Sequence, residues 1–539
     1  MNIHVTSEYG RLREAIMHRP GRELVRMTPS TRDYFLFDDL LYDEHAQQEH
    51  DWLVDLLQNH LGVKVHLFEH LLTEALAAAS HEERDRLISQ VRQLEQDMPP
   101  VEQRIGQLEV LVRWFQGQGW PQYMQDPEGA PAAAAPGSLP GSLAQYRTGL
   151  AGVAGKRVTT TPLAGADVDE HELTYLQQRL ASWCEAGDFT SLGEELVEGI
   201  ESRVGGVSPS QRPGPREDGN GNKSRKGPPM PGEEADALRR FVEGKLFYLT
   251  PLPNLMFIHD VGTVVGSALL MGRMAAPGRS REPLLLDFVH RHHPRFNDVP
   301  RWTWADARVN DPAWPLAASP LLHMEGGNVV RLRDDLIVLG VGERTSMESV
   351  QRLADVWRAR SVQEGRKVVL YILRLPAGFN HLDSVLGIIS LSECVIYPPV
   401  FEPYGPASVD VVRVELGEGP VKPVRSPDFF ESLRNDGVDL TPIPCGGQDP
   451  TDQQREQWFS AANLLAVAPG KVIIYRSSER TIDELRNRGY RVVDINDVQT
   501  GTVRLSLDDE EKWVLKVKGS ELARGHGGPH SLVLPLVRD

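Results

Sequence analysis

The feature that most constrains the fold is the alternation of short β-branched runs with helical stretches from Leu246 to the end of the chain. Four runs have the length and composition of buried strands, and they cover residues 336–340, 367–375, 471–475 and 491–495. Helical patterns lie between such runs, at 346–360 and 481–488. Strands that alternate with helices are typical of a mixed α/β fold, which we predict for this part of the chain.

The remainder of the chain divides into two regions of different composition. Residues 1–75 begin with a strand-like run followed by a helical pattern over 44–59. The middle region, 76–248, has helical patterns over 81–115, with a break at Pro99-Pro100, and over 170–204. Two stretches of this region cannot bury enough apolar surface to become ordered, and they cover residues 126–166 and 205–232. We expect 1–75 and 249–539 to form the α/β body and 76–248 to be a helical insertion with disordered linkers.

Charge and hydropathy exclude several classes of protein. The net charge of -17 disfavours nucleic acid as a partner, and no stretch of eighteen apolar residues could span a membrane. The N-terminus lacks the apolar core of a secretory signal, so we expect a cytoplasmic protein. The three cysteines are too few and too far apart for a disulfide framework or a cysteine zinc site. We expect no cofactor and no metal, a small cationic substrate, and leave a homo-oligomer open.

Five short segments place polar residues beside glycine, proline or aromatic residues, as active-site loops do. They are PLPNLMFIHD (251–260), MEGGNV (324–329), GERTS (342–346), NHLDS (380–384) and ELARGHGGPHS (521–531). Taken singly, Asp260 and Asp383 read as caps or turn residues, and Glu325 before two glycines reads as a turn. His381 and Asp383 stand at alternate positions, which suits a site and an ordinary ion pair alike.

Taken together and in this order, the five segments resemble the arginine deiminase family. Four further segments are similar to that family, at 7–29, 37–51, 442–450 and 455–475. The resemblance covers residues 1 to about 73 and 246–539, whereas the middle does not match and looks like an elaboration of the family's helical subdomain. The resemblance implies a pseudo-fivefold α/β propeller of ββαβ units around a polar site. It also implies hydrolysis of L-arginine to L-citrulline and ammonia, which the fold alone would not fix.

The resemblance also assigns catalytic roles. A guanidinium stays charged and presents planar, forked donors, so its binding away from water requires carboxylates, and Asp260 and Asp383 match those positions. His381, paired with Glu325, matches the group that protonates the departing nitrogen. Ser531 stands at the place of the nucleophile.

The other end of the substrate is assigned in the same way. Arg279 and Arg344 match the arginines that hold the α-carboxylate, and Asn254 with Phe257 match the wall beside it. Asn328 stands where the family commonly has aspartate, so the charge near the ligand differs and the identity of the substrate is left open. L-Arginine or a related guanidino compound is therefore the implied ligand.

The nucleophile is the main departure from the family. The family has a cysteine at the end of a turn like GRGGPRC, whereas residues 525–531 read GHGGPHS. A hydroxyl is a weak nucleophile that needs an adjacent base, and His530 or His526 is a candidate for that base. Neither Cys394 nor Cys445 replaces the missing thiol.

Three functions follow for such a chain. The first is an arginine deiminase-like hydrolase, in which Ser531 is a slow nucleophile or a substitution that traps the substrate. The second is a catalytically inactive arginine-binding protein, serving as a sensor or an inactive subunit. The third is amidino transfer, which ranks lowest because it also calls for cysteine. The retained carboxylates and the His381–Glu325 pair favour the hydrolase.

Overall fold

The computed structural model describes residues 3–29, 31–32, 34–97, 170–201, 247–303, 322–405, 407–418 and 421–539. The predicted linkers 126–166 and 205–232 lie outside the described residues, and so does the second half of the helix predicted over 81–115. Within the described ranges, no helix combines the length and the apolar character needed to cross a membrane.

Strands and helices alternate along the described chain, as predicted for a mixed α/β fold. The strands are β1 Leu12–Met17, β2 Lys64–Leu67, β3 Ile200–Glu201, β4 Phe247–Leu249, β5 Gly262–Val265, β6 Ala268–Met271, β7 Arg301–Trp302, β8 Val329–Arg333, β9 Leu336–Val341, β10 Val368–Arg374, β11 Leu386–Ile388, β12 Glu393–Ile396, β13 Asp410–Leu416, β14 Val424–Ser426, β15 Thr441–Pro444, β16 Leu465–Ala468, β17 Lys471–Tyr475, β18 Arg491–Asp494, β19 Trp513–Val517 and β20 Leu534–Arg538. The helices are α1 Arg22–Val25, α2 Asp43–Asp55, α3 Phe68–Ala78, α4 His81–Asp97, α5 Glu170–Ala186, α6 Phe189–Glu198, α7 Ile258–Val261, α8 Arg281–His292, α9 Met347–Glu364, α10 Pro398–Phe401, α11 Phe429–Asn435, α12 Pro450–Trp458, α13 Glu479–Asn487 and α14 Ile495–Gln499.

One pairing pattern recurs in the sheets. An antiparallel pair of strands is extended by a third strand that lies parallel to the second. The pattern is found in β5-β6-β7, β8-β9-β10, β11-β12-β15, β16-β17-β19 and β20-β1-β2. A parallel partner requires a crossover, and helices such as α8 and α9 supply it. Hairpin, helix and parallel strand therefore form the repeated unit of this fold.

Five of the longer strands in these units are buried on both faces. Every residue of β5, β6, β9, β16 and β17 is buried. Such strands read as continuous apolar runs, not as alternating ones, which explains why the runs at 336–340 and 471–475 stand out in the sequence. β10 and β18 fall on the other two predicted strands, and α9 and α13 fall on the two predicted helices.

The described part of the middle region consists mainly of the helices α4, α5 and α6, with the short strands β3 and β4. Leu87 and Val91 of α4, Leu180 of α5 and Leu192 of α6 belong to one buried apolar cluster together with α3 and α8. α4 and α5 are amphipathic helices that would expose this apolar stripe if they stood alone. Their packing against α3 and α8 therefore joins the middle region to the α/β body.

Candidate active site

Five polar residues, four of them singled out in the sequence, occupy equivalent places in the repeated unit. In each of the five units, a polar residue stands one to three positions before the first strand, and in the unit that begins with β20 this residue is Ser531. The other four are Asp260 before β5, Asn328 before β8, Asp383 before β11 and Asn463 before β16. Residues that are distant in sequence are thereby brought to corresponding ends of their sheets.

The side chains of Glu325, His381 and Asp260 lie in contact with one another. His381 Nε2 is 2.8 Å from Glu325 Oε2, and His381 Nδ1 is 3.6 Å from Asp260 Oδ1. Glu325 is fully buried, and the other two are nearly so. An imidazole between two carboxylates can hold a proton and release it to a neighbouring group.

The protonation states of this pair follow from its surroundings. Burial favours the neutral acid at Glu325, but the charge of Arg344 and the hydrogen bond from His381 outweigh it and lower the pKa of Glu325. Burial likewise opposes a charged His381, but the carboxylates of Asp260 and Glu325 raise the pKa of His381 above its ordinary value. The surroundings therefore favour the charged form of both groups, an imidazolium against a carboxylate.

The glycine pair in MEGGNV is required by close packing around this histidine. A Cβ added to Gly327 would lie 2.9 Å from His381 Cγ and 3.1 Å from Asp260 Oδ1. A side chain at this position would therefore push His381 and Asp260 apart. The 3₁₀ turn Gly326–Asn328 begins directly after Glu325 and fixes that carboxylate at the turn's start.

Two arginines surround the carboxylates. Arg279 Nη1 donates to Asp260 Oδ2 at 3.0 Å, and its Nε and Nη2 donate to buried Glu282 at 2.9 to 3.1 Å. Arg344 Nη1 lies 3.6 Å from Glu325 Oε1. Both arginines were predicted to face a ligand carboxylate. In this structure Arg279 is engaged by carboxylates of the chain itself, whereas Arg344 Nη1 is buried and has no hydrogen-bond partner among the described residues.

The turn before β20 is held by Asn463. Its Oδ1 accepts hydrogen bonds from the backbone N–H of Gly528 (2.9 Å) and Ser531 (3.1 Å) and from the Ser531 hydroxyl (3.1 Å). A Cβ on Gly528 would lie 2.1 Å from the Asn463 carbonyl, so this turn requires glycine. Asn463 therefore fixes the position of Ser531.

Neither candidate base is placed to activate Ser531. The Ser531 hydroxyl donates to an amide oxygen, which does not take up its proton. His526 pairs instead with Asp38, with His526 Nε2 2.7 Å from Asp38 Oδ2. His530 is held by two carboxylates, so it already carries the proton that a base would have to accept. The interpretation of His526 or His530 as a base is therefore not supported by this geometry.

The contacts of His530 form a second buried network. Its Nδ1 is 3.0 Å from Asp383 Oδ2, and its Nε2 is 3.1 Å from Glu8 Oε2. Arg331 Nε donates to Glu8 Oε1 at 2.7 Å. Burial opposes the charge of His530, but hydrogen bonds with Asp383 and Glu8 raise its pKa to about 9.

His259 packs against His530 at one side of this network. Its ring centroid lies 4.3 Å from that of His530, and its Nδ1 is 3.0 Å from the carbonyl oxygen of Val533. Burial, with the charges of His530 and Arg331, lowers the pKa of His259 to about 3. His259 is therefore neutral beside a charged histidine.

The remaining predicted residues line the same region. Phe257 lies against the turn at 525–531, because a Cβ on Gly527 would lie 2.1 Å from its ring. The Asn254 amide donates to the Phe35 carbonyl at 2.6 Å. The Asn328 amide donates to Thr345 and to the Asn380 carbonyl and accepts from Leu382 N–H, so it holds the segment that carries His381 and Asp383.

Sequence reasoning missed five residues of the site: Glu8, His259, Glu282, Arg331 and Asn463. Glu8 and Asn463 lie within segments whose resemblance to the family was noted, 7–29 and 455–475. His259 stands next to Asp260 but reads as an ordinary buried histidine. Glu282 stands in the first turn of α8 and Arg331 within strand β8, and neither position marks the residue as part of a site.

The fold and the site together define an α/β protein with buried carboxylate–histidine pairs. The family model for arginine deiminase matches residues 33–115 and 224–538 of this chain, which is more than half of it. The chain therefore belongs to the arginine deiminase family.

Full-length relatives agree with this assignment. The chain is 27% identical to an arginine deiminase of Bacillus thuringiensis subsp. konkukian over 540 residues, which are 99% of this chain and 98% of the relative. It is 26% identical to an arginine deiminase of Listeria welshimeri, covering 100% of this chain and 98% of the relative.

Solved structures with some likeness include the N-terminal domain of ArgZ, a cyanobacterial arginine dihydrolase, bound to substrate. That match has a TM-score of 0.34 and 16% identity, and it covers 53% of this chain and 77% of that one. DDAH from Pseudomonas aeruginosa complexed with citrulline has a TM-score of 0.31 and 17% identity, with 52% and 76% covered.

Proposed function

We propose that the chain is an arginine deiminase-type hydrolase that acts on a C–N bond of an amidine and converts L-arginine and water to L-citrulline and ammonia. Family membership and the full-length relatives support this reaction. The observation that carries the proposal is the contact of His381 with Glu325 and Asp260. Guanidinium hydrolysis needs a proton donor beside a carboxylate that still has an oxygen free to bind the guanidinium, and Asp260 Oδ1 has no hydrogen-bond partner among the described residues. Binding alone would require the carboxylate but not the donor.

Asp260 and Asp383 are the proposed carboxylates for the guanidinium. Each has one buried oxygen, Oδ1, that lacks a hydrogen-bond partner among the described residues. A buried acceptor without a partner costs free energy, which a ligand's N–H groups would recover. Guanidinium donors match carboxylate oxygens in geometry and charge, so these two atoms are suitable partners for it.

His381 is the proposed proton donor, and Glu325 keeps it charged. The departing nitrogen cannot leave as an amide anion, so a proton must reach it as the C–N bond breaks. The raised pKa of His381 keeps the imidazole protonated around neutral pH, and Asp260 Oδ1 lies 3.6 Å from its Nδ1. A guanidinium held by Asp260 would therefore lie next to the donor.

Ser531 is the proposed residue at the nucleophile position, beside the substrate's central carbon. Its hydroxyl is oriented by Asn463 but has no base, so we expect slow turnover if serine acts unaided. Arg344, Asn254 and Phe257 are proposed to contact the substrate, while Arg279 and Asn328 are proposed to position the site through Asp260 and His381.

We also propose the arrangement and setting of the chain. The five repeated units, each with a polar residue at the same end, support a pseudo-fivefold propeller around one central site. Residues 76–248 would be a helical insertion between 1–75 and 249–539. A cytoplasmic location and a small-molecule partner fit the acidic composition.

The direct test is a product assay. The purified chain should release citrulline and ammonia in equal amounts from L-arginine, and an Arg291→Gln control, altered in α8 at a residue that pairs with Asp287, should do so at the same rate. Arginine binding in calorimetry without either product would support the inactive binding protein instead.

A further inference from the structure

We propose that His259, Asp383 and His530 bind one divalent transition-metal cation of the Zn²⁺ type. All three side chains are buried, and one potential ligand atom from each lies within 4.8 Å of the other two. Two imidazole nitrogens and one carboxylate oxygen are a donor set suited to such cations. The site goes beyond the proposed function, because its test measures cation binding and not arginine turnover.

His259 has the tautomer that a metal ligand requires. The Val533 carbonyl can only accept a hydrogen bond, so the 3.0 Å contact places the proton of neutral His259 on Nδ1. The lone pair then lies on Nε2, which is buried and has no hydrogen-bond partner among the described residues. Histidine ligands commonly donate their second N–H to a backbone carbonyl in this way.

Asp383 and His530 complete the set. Asp383 Oδ1 is also buried without a partner in the described chain, while Oδ2 lies 3.0 Å from His530 Nδ1. The cation would displace the proton that His530 Nδ1 shares with Asp383, and the remaining Nε2–H would donate to Glu8, which Arg331 holds in place. This is the carboxylate–histidine–metal arrangement that orients ligands in metalloproteins.

A second group of potential ligands is less suitable. Asp260, Glu325 and His381 also offer atoms within 4.8 Å of one another. Arg279 and Arg344 already supply positive charge to those carboxylates, so a dication there would meet two guanidinium groups. In the group of His259, Asp383 and His530, the nearby arginine, Arg331, is paired with Glu8.

The place of this site fits the serine substitution. Ser531 directly follows His530, and its carbonyl accepts a hydrogen bond from His259 N–H at 3.2 Å. In the turn GRGGPRC that residues 525–531 resemble, arginine stands at the position of His530, and a permanently charged guanidinium does not bind a cation. The cation would occupy Asp383 Oδ1, the atom proposed above for the guanidinium, so Zn²⁺ and arginine would compete for this residue.

The test uses the full chain after treatment with a chelator. Calorimetric titration with Zn²⁺ should show one tight equivalent, and Co²⁺ should give visible absorption bands on binding, whereas Mg²⁺, which prefers oxygen ligands, should not compete. Loss of an orienting partner costs roughly 10- to 100-fold in metal affinity, so removal of a ligand in His259→Gln should cost at least about 100-fold. The control is His290→Gln, which alters another buried histidine with an unpartnered ring nitrogen.

Circular dichroism establishes that each variant is folded. If His259→Gln does not fold, Asp383→Asn, which keeps the side-chain shape, should show the same loss. Absence of saturable Zn²⁺ binding by the folded unaltered chain would overturn the proposal. Equal Zn²⁺ affinity in the ligand variant and the His290 control would also overturn it, since the cation would then bind elsewhere. Neither result would bear on the arginine assay.

Discussion

His381 Nε2 lies 2.8 Å from Glu325 Oε2, although the two residues belong to different repeated units and are 56 positions apart. Glu325 is placed by the turn before β8, and His381 by the turn before β11. Asn328 ties these turns together, because its amide bonds to Thr345, to the Asn380 carbonyl and to Leu382 N–H. The proton-donor pair is therefore fixed by the fold before any substrate arrives.

Breaking this pair should reduce turnover more than binding. We expect His381→Asn and Glu325→Gln each to lower kcat by roughly 10²- to 10⁴-fold, the usual contribution of a general acid. The two variants act differently. His381→Asn removes the group that donates the proton, whereas Glu325→Gln removes the negative charge that keeps His381 protonated. Citrulline release measures kcat, and arginine calorimetry measures binding. Unchanged kcat in both variants would contradict the assignment.

Removing the Asp260 carboxylate, which is proposed to bind the guanidinium, should abolish tight binding of arginine. Asp260→Asn should weaken arginine binding by roughly 2 to 5 kcal/mol, because a charge-assisted pair is lost in a buried site. This corresponds to a rise in Kd of roughly 30-fold to several thousand-fold. The control is Asp287→Asn, which alters a buried aspartate of α8 that pairs with Arg291 and Arg301. Equal Kd values in the two variants would refute the role of Asp260.

Restoring a thiol should accelerate the reaction. Removal of a catalytic nucleophile typically costs on the order of 10⁴- to 10⁶-fold in rate, so Ser531→Cys should raise citrulline release by several orders of magnitude. Quenched samples should also show a transient mass increase matching an amidino adduct. A variant that binds arginine but gives neither product nor adduct would show that the turn at 525–531 no longer supports cysteine chemistry.

A buried histidine outside the site should make stability depend on pH. His18 lies 3.3 Å from both Glu23 and Glu69; burial opposes its charge, but these hydrogen bonds raise its pKa to about 10. The folded pKa exceeds the unfolded value of about 6.5, so this stabilisation is complete below pH 6.5 and is lost as pH rises to 10.

Urea unfolding between pH 6 and pH 10 measures this effect. The free energy of unfolding should fall by a few kcal/mol over that range, and His18→Gln should make the fall smaller, leaving the part that His530 contributes. Neighbouring His50 does not confound the result, because burial lowers its pKa and keeps it neutral there. An identical pH slope in both proteins would contradict the prediction.

The sequence predicted the strands, the helices and the polar segments of the site better than it predicted the contacts between distant segments. The runs at 336–340 and 471–475 are legible because their strands are buried on both faces. Glu325 can be recognised because its glycine-containing segment tolerates few alternatives, as the space around Gly327 illustrates.

The unpredicted features depend on contacts between distant segments. Glu8 meets His530 across 522 positions of sequence, and Arg331 meets Glu8 across 323. No local pattern encodes such pairs. The pairing of Arg279 with Glu282, three positions away, could not be predicted either, because the spacing alone does not tell whether a glutamate at the start of a helix turns toward the site.

Arginine hydrolysis itself is measured most directly with L-arginine labelled with ¹³C at the guanidino carbon. NMR should show the labelled signal move from the guanidinium to the ureido position of citrulline, with one ammonium formed per turnover, and Asp260→Asn should leave the substrate signal unchanged. A guanidinium signal that persists in the folded, arginine-bound chain over many hours would contradict the proposed reaction.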